Sequence, residues 1–176
     1  IPEDFARKQM RIIRALEGMG VKSWCTCTPY LVGGEPGLGE HLAWSESSAV
    51  AFANSVLGAR TNREGGPSAL AASIVGRTGR YGLHLEGGRR ATAVFEVHCP
   101  VQDLADFGAL GYLVGKEAES RIPYLRGLEV ALDGQGRDCL KALVAALATS
   151  GAEALYHVEG VTPEASLPQI AATGAQ

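Results

Sequence analysis

Apolar residues recur along this chain in short runs broken by glycine and proline, and their spacing shifts from helical to alternating and back. Ala6, Met10, Ile13 and Leu16 repeat at helical spacing behind Pro2, Glu3 and Asp4, and Gly18 and Gly20 close that run. The fixed φ of proline and the two negative charges suit a helix start. A short strand is expected over 21–25, followed by a turn-rich irregular loop over 29–39. Ser45 or Ser47 can cap a helix that runs to about residue 57, with Gly58 as its left-handed stop. Pro67 starts another helix over 68–75, which Gly76 closes. Because Gly65 and Gly66 precede it, free amides at that helix start can face an anion.

Further along, residues 81–85 and 91–97 alternate in polarity around Glu86, Gly87, Gly88 and Arg89, the pattern of a β-hairpin. Residues 101–114 read as helix, although Gly108 and Gly111 each cost about 1 kcal/mol relative to alanine. Asp133 or Asp138 opens a helix through 147 that Gly151 ends, residues 154–158 form an apolar strand, and Thr162, Pro163 and Glu164 read as a further helix start. Helices alternate with strands through most of the chain, so the expected fold is α/β and layered, with one inserted hairpin.

At 176 residues the chain suits one domain, or one lobe of a larger protein, with a core of its own. It lacks an initiator methionine and trails off in small polar residues, which reads as a fragment of a longer protein. A charge of −3 with scattered arginines argues against a general nucleic-acid binder, which needs a concentrated basic surface. No apolar run is long enough for a bilayer span and the acidic start is unlike a leader peptide, so the expectation is a cytoplasmic protein that handles small molecules. Cys25, Cys27, Cys99 and Cys139 form no recognisable disulfide framework; reduced thiols or metal ligands fit better.

Candidate chemistry is concentrated between Trp24 and Glu64. Cys25 and Cys27 leave one face of an extended segment about 6–7 Å apart. That is wide for one tetrahedral metal unless the chain turns, as Pro29 allows, and simple burial of the thiols is the competing reading. Glu40 and His41 suit either general acid–base work or metal ligation, or lie at the margin of a site. Glu46, Ser47 and Ser48 either cap a helix or touch substrate. Arg60 and Arg63 can clamp a carboxylate or phosphate, unless they are spent on salt bridges to Glu46 or Glu64. Asn62 can hydrogen-bond a hydroxyl or amine without adding charge. His84, His98 and His157 sit in expected strands and read as structural histidines, while Cys99 and Cys139 read as inert. A redox pair at Cys25 and Cys27 would lack the Cys-x-x-Cys spacing.

Three blocks in that region, Cys-Thr-Cys-Thr-Pro-Tyr at 25–30, Gly-Glu-His-Leu-Ala-Trp-Ser-Glu-Ser-Ser at 39–48 and Asn-Ser-Val-Leu-Gly-Ala-Arg-Thr-Asn-Arg-Glu-Gly at 54–65, resemble the aconitase X family. The resemblance continues through Gly-Arg-Thr-Gly-Arg-Tyr-Gly-Leu-His-Leu at 76–85, Gly-Ala-Leu-Gly-Tyr-Leu-Val-Gly at 108–115 and Tyr-His-Val-Glu-Gly-Val-Thr-Pro-Glu-Ala at 156–165. One departure is Gly79, where the family pattern suggests proline. The resemblance implies a single aconitase-like catalytic lobe over 1–176, in the large-subunit region of a hydro-lyase. It also implies an iron centre, either iron–sulfur or mononuclear, for which Cys27 is the better ligand candidate and Cys25 the weaker one. Further ligands and a small swivelling domain or subunit are expected from outside this chain. Two substrates come with the family, cis-3-hydroxy-L-proline, dehydrated to pyrroline-2-carboxylate, and mevalonate 5-phosphate. The Ala-, Gly- and Arg-rich composition favours the first. On this reading Arg60 and Arg63 bind an anion, Asn62 and Ser47 make polar substrate contacts, and Glu40, His41 and Glu64 surround the iron or move protons. The reading from another class is a lobe with no catalysis of its own, acting through association with the missing domains.

Overall fold

In the computed structural model, which describes residues 1–131, 133–151 and 153–170, the first half is helical and irregular. Helix α1 (Glu3–Gly18) begins behind Pro2 and buries no residue; Ala6, Ile13 and Leu16 are half-buried and Met10 is exposed. The strand expected over 21–25 does not form. That segment is exposed chain, and Cys25 takes a positive φ of 46°, which no extended strand accommodates. Helix α2 (Ser47–Ser55) is capped by neither expected serine. Glu46 does this, its Oε2 accepting from the Ala49 amide at 2.6 Å and from Ser48 Oγ at 2.8 Å. Helix α3 (Gly66–Val75) starts with Pro67 in its first turn and stops at Gly76 in the left-handed region, as its sequence predicts.

The second half is a parallel sheet and the helices that cross over it. Strands β1 (Ala93–Glu96), β2 (Pro123–Arg126) and β3 (His157–Val158) lie in the order β1-β2-β3, with Val94 opposite Tyr124 and Tyr124 opposite His157. Parallel neighbours need long crossovers. Helix α4 (Leu104–Ala118), capped by Asp103, and helix α5 (Gly134–Ser150), capped by Asp133, supply them. Alternation places Phe95, Leu125 and Val158 on one sheet face, against Phe107 and Val114 of α4, Leu143 and Leu147 of α5 and Phe52 of α2. Val94 and Tyr124 face the other way onto Ala165, whose carbonyl accepts from the Tyr124 hydroxyl at 3.0 Å. Helices α4 and α5 approach so closely at Gly111 that a Cβ there would run into the Leu143 carbonyl.

The expected hairpin is absent. Residues 82–84 and 86–89 form two 3₁₀ turns, and β1 pairs with β2 instead. Two local features oppose a hairpin: Gly82 at φ +57° bends the chain, and Arg89 turns inward and is fully buried. The helix expected from Thr162 is also absent. Turns occupy that stretch, and the Glu164 carboxylate is committed to Arg89.

Candidate active site

The site grows from the C-terminal end of α2. Buried Asn54 donates from Nδ2 to the carbonyls of Thr61 and Ala154, both at 2.8 Å, and its Oδ1 accepts from the Thr61 amide at 2.9 Å. Residues 59–64 are thereby laid beside 40–44. The Arg60 amide donates to Glu40 O at 2.8 Å, the Leu42 amide to Arg60 O at 2.9 Å and the Glu64 amide to Trp44 O at 3.0 Å. This one-bridge parallel pairing puts His41 beside Arg60.

Asn62, read from sequence as a substrate contact, is 8% exposed and spends both ends of its amide on the next loop. Its Oδ1 accepts from the Leu83 amide at 2.8 Å and its Nδ2 donates to Tyr81 O at 3.2 Å. That places His84 against His41, with the two Nδ1 atoms 2.8 Å apart and the rings stacked at 5.1 Å. Arg60 Nη1 donates to the His84 carbonyl at 3.3 Å, and its Nη2 lies 4.0 Å from Glu164. Beneath them, Arg89 Nε donates to both oxygens of Glu164 at 3.0 and 2.8 Å, while its Nη1 and Nη2 reach Asn54 Oδ1, Leu83 O and Asn54 O. Burial pulls the Arg89 guanidinium down and Glu164 pulls it back up. His84 is also pushed below the usual histidine range, first by burial and then by His41, with Arg89 and Arg60 adding to the effect and Glu64 opposing it.

Trp44 is the wall between two cavities. One of ≈ 370 Å³ is lined by His41, Trp44, Ser73, Arg77 and Thr78 among others, and one of ≈ 180 Å³ by Thr26, Trp44, Ser45 and Glu46. Thr26 lies between the two candidate thiols, so the cysteine loop borders the smaller cavity and His41 the larger, and Trp44 lines both. A further cavity of ≈ 350 Å³ opens beyond the C-terminal ends of β1 and β2, lined by His98, Cys99, Gln102 and Glu129 among others. It gathers neither a lysine nor an arginine, and the Trp44 region has the better chemistry for an anionic acid.

Other expectations divide. Glu40 is exposed and accepts from the Gly37 amide at 2.8 Å, and Glu64 accepts from Ser68 Oγ at 2.8 Å beside the start of α3. Ser47 is the first residue of α2, and Arg63 Nη2 donates to Ala148 O at 3.4 Å. His84 lies in a 3₁₀ turn and His98 is exposed past the end of β1, so neither is the strand histidine expected. His157 is: it is buried in β3 with its Nε2 2.9 Å from the Arg89 carbonyl. Cys139 is buried in α5, which pushes its thiol up, and Cys99 is exposed. Sequence reasoning missed Asn54, Trp44, Arg89 and Glu164. An arginine in a Gly-Gly-Arg segment looks like a surface turn until its buried carboxylate partner is known.

Cys25 and Cys27 are exposed free thiols, and as thiolate donors they suit iron by ligand type. Among the described residues, no group of three or more His, Cys, Asp or Glu is arranged to hold a metal. The pair therefore fits as part of a donor set that the described residues do not close. No helix among the described residues is long and apolar enough to cross a membrane.

Two family models match in order, the aconitase X first domain over residues 1–87 and the aconitase X second domain over 91–176. Arg89 lies between the two ranges and ties Asn54 of the first to Glu164 of the second. The chain is 57% identical, over 92% of its length and 39% of the relative's, to the phosphomevalonate dehydratase large subunit of Methanothermobacter thermautotrophicus. It is 40% identical, over 96% of its length and 28% of the relative's, to the cis-3-hydroxy-L-proline dehydratase of Hypocrea jecorina. The crystal structure of Thermococcus kodakaraensis aconitase X, holo-form, superposes with a TM-score of 0.87 at 48% identity, over 98% of this chain and 44% of that one. The chain thus spans less than half of each relative's length. Matched by both domain models in order and sharing its fold with a solved member, the chain belongs to the aconitase X family.

Proposed function

We propose that this chain forms the first lobe of the large subunit of a hydro-lyase that dehydrates mevalonate 5-phosphate. The observation that carries this reading is the 57% identity to a phosphomevalonate dehydratase large subunit, against 40% to a cis-3-hydroxy-L-proline dehydratase. It reverses the order of substrates that composition suggested, because amino-acid usage reports genomic background while identity over the aligned residues reports descent of the chain.

In this reading the cavity beside Trp44 receives the substrate. Arg77 meets one of its anionic groups there, while Arg63 donates toward the Ala148 carbonyl of α5. Arg60 is half-buried and shares its charge with Glu164, so it holds the His84 loop and contributes field rather than a direct clamp. Cys27, with Cys25, would hold iron together with ligands from beyond this chain; bound iron supplies Lewis-acid activation of a leaving hydroxyl. A small swivelling partner subunit completes the site and supplies the base that removes the proton from the neighbouring carbon. Glu40 and Glu64 bond to the local backbone and to Ser68 respectively, and both shape the site's edge.

The test uses the full-length large subunit assembled with its small partner, kept anaerobic and supplied with iron. Mevalonate 5-phosphate and cis-3-hydroxy-L-proline are offered in parallel, and loss of water is followed by mass spectrometry. Dehydration of the phosphate alone is expected. Turnover of the hydroxyproline alone would reverse the assignment.

A further inference from the structure

His41 and His84 come from segments 43 positions apart, and their Nδ1 atoms meet at 2.8 Å. A bond between two ring nitrogens needs one protonated and one bare, so two neutral imidazoles joined this way hold opposite tautomers. The far nitrogen of His84 decides which is which. Its Nε2 is buried with no partner. Were it protonated, it would be an orphaned buried N–H, and such donors are rarer in folded proteins than under-satisfied acceptors. Burial first, then His41, and after them Arg89 and Arg60 bias the ring against additional positive charge, and Glu64 opposes them. A bare His84 Nε2 leaves the ring's single proton on Nδ1.

We propose that His84 donates its Nδ1 proton to His41 Nδ1, fixing His41 as the Nε2–H tautomer, so that His41 meets the substrate as a neutral hydrogen-bond donor and not as a proton acceptor. His84 is then a positioning residue, and the group it positions lines the ≈ 370 Å³ cavity together with Arg77. An N–H aimed at a carboxylate or phosphate oxygen adds orientation to the charge that Arg77 supplies. The expectation that His41 works as an acid–base group is narrowed accordingly. No proton leaves the pair during a cycle, and the base lies elsewhere. The assignment rests on the function proposed above only in naming the substrate oxygen as acceptor; the tautomers follow from the protein alone.

Two measurements on the assembled enzyme test it. Histidine-selective ¹⁵N spectra read each ring without turnover, and the expected result is a protonated Nε2 with a bare Nδ1 in His41, and the reverse in His84. The opposite pattern overturns the proposal even if the substrate assignment stands. His84→Asn keeps an N–H close to the position of Nδ1 and is expected to keep His41 in its tautomer; His84→Phe is expected to leave a mixture. If the phenylalanine variant fails to fold, the asparagine variant still decides, because a mixed His41 there overturns the assignment. With whichever acid the enzyme turns over, His41→Gln retains an N–H near the Nε2 position and should lose at most about tenfold in kcat/KM, while His41→Ala should lose about a hundredfold. A glutamine variant as inactive as the alanine variant would mean that His41 takes a proton, and the proposal would fall. Failure of both substrates would remove the proposed function and leave the tautomer result intact.

Discussion

The carboxylate of Glu164 and the guanidinium of Arg89, 75 positions apart, face each other inside the protein, with Nε 2.8 Å from Oε2 and no part of the arginine exposed. A buried charge is tolerated only while its partner is present. Replacing Glu164 by leucine should therefore cost about 3–5 kcal/mol in urea unfolding. The Arg89→Met, Glu164→Leu double variant should recover much of that loss, since a paired buried charge contributes little net stability over apolar packing. A double variant no more stable than the single one would show that the other bonds of Arg89, to Asn54 and Leu83, matter more than the ion pair.

Acid should weaken the fold in a defined window. Burial pushes both His84 and His157 below the usual histidine range, so below that range the unfolded chain binds protons that the native state refuses. Stability present above about pH 6.5 is then lost progressively as the pH falls toward the depressed native values. Glu153, whose carboxyl burial pushes up, acts with the opposite sign, so the informative quantity is a difference between variants. The loss of stability between pH 7.5 and 5 should be smaller for His84→Asn than for wild type; equal losses would remove His84 from the titration.

Glycines in one helix should respond oppositely to alanine. At Gly108 a Cβ has open space, and Gly108→Ala should stabilise by up to about 1 kcal/mol through helix propensity. At Gly111 the same methyl collides with the Leu143 carbonyl and must push α4 from α5, with an expected cost of about 1–3 kcal/mol. Thermal unfolding of the two variants would settle this, and a common sign would show that the helices can separate at no cost.

Cys27→Ser in the assembled enzyme should reduce iron content and turnover together. Full iron with full activity would end the ligand assignment. Cys25 sits at a positive φ of 46°, where Cys25→Gly should retain the loop's shape and so isolates the role of that thiol.

Where the fold was legible, local chemistry dictated it. Pro67 and Gly76 bracket α3, Asp133 caps α5, and the half-buried Ala6, Ile13 and Leu16 lie on one face of α1. What escaped notice depended on distant partners. Strand β2 is four residues long, begins with proline and is buried on both faces at Tyr124 and Leu125, so it shows no alternation. Residues 91–97 do alternate, but the neighbour that completes β1 is β2, beyond a whole helix, and alternation does not name a partner. The site divides in the same way. His41 stands out as a titratable residue in a turn-rich stretch, whereas Asn62 has the composition of a ligand contact and is a strut. His84 and Arg89 take their meaning only from His41, Asn54 and Glu164.

Helix α1 has a further consequence. It spans 16 residues without burying one, and an isolated helix of that length is marginal in water. Its amides should exchange with deuterium long before those of α5, whose Leu143 and Leu147 are sealed in the core. Unfolding of this chain will then not be all-or-none: a shallow, nearly linear loss of helical signal from α1 should precede the steep transition of the sheet and its two crossover helices, and a stability fitted from ellipticity alone will read too low.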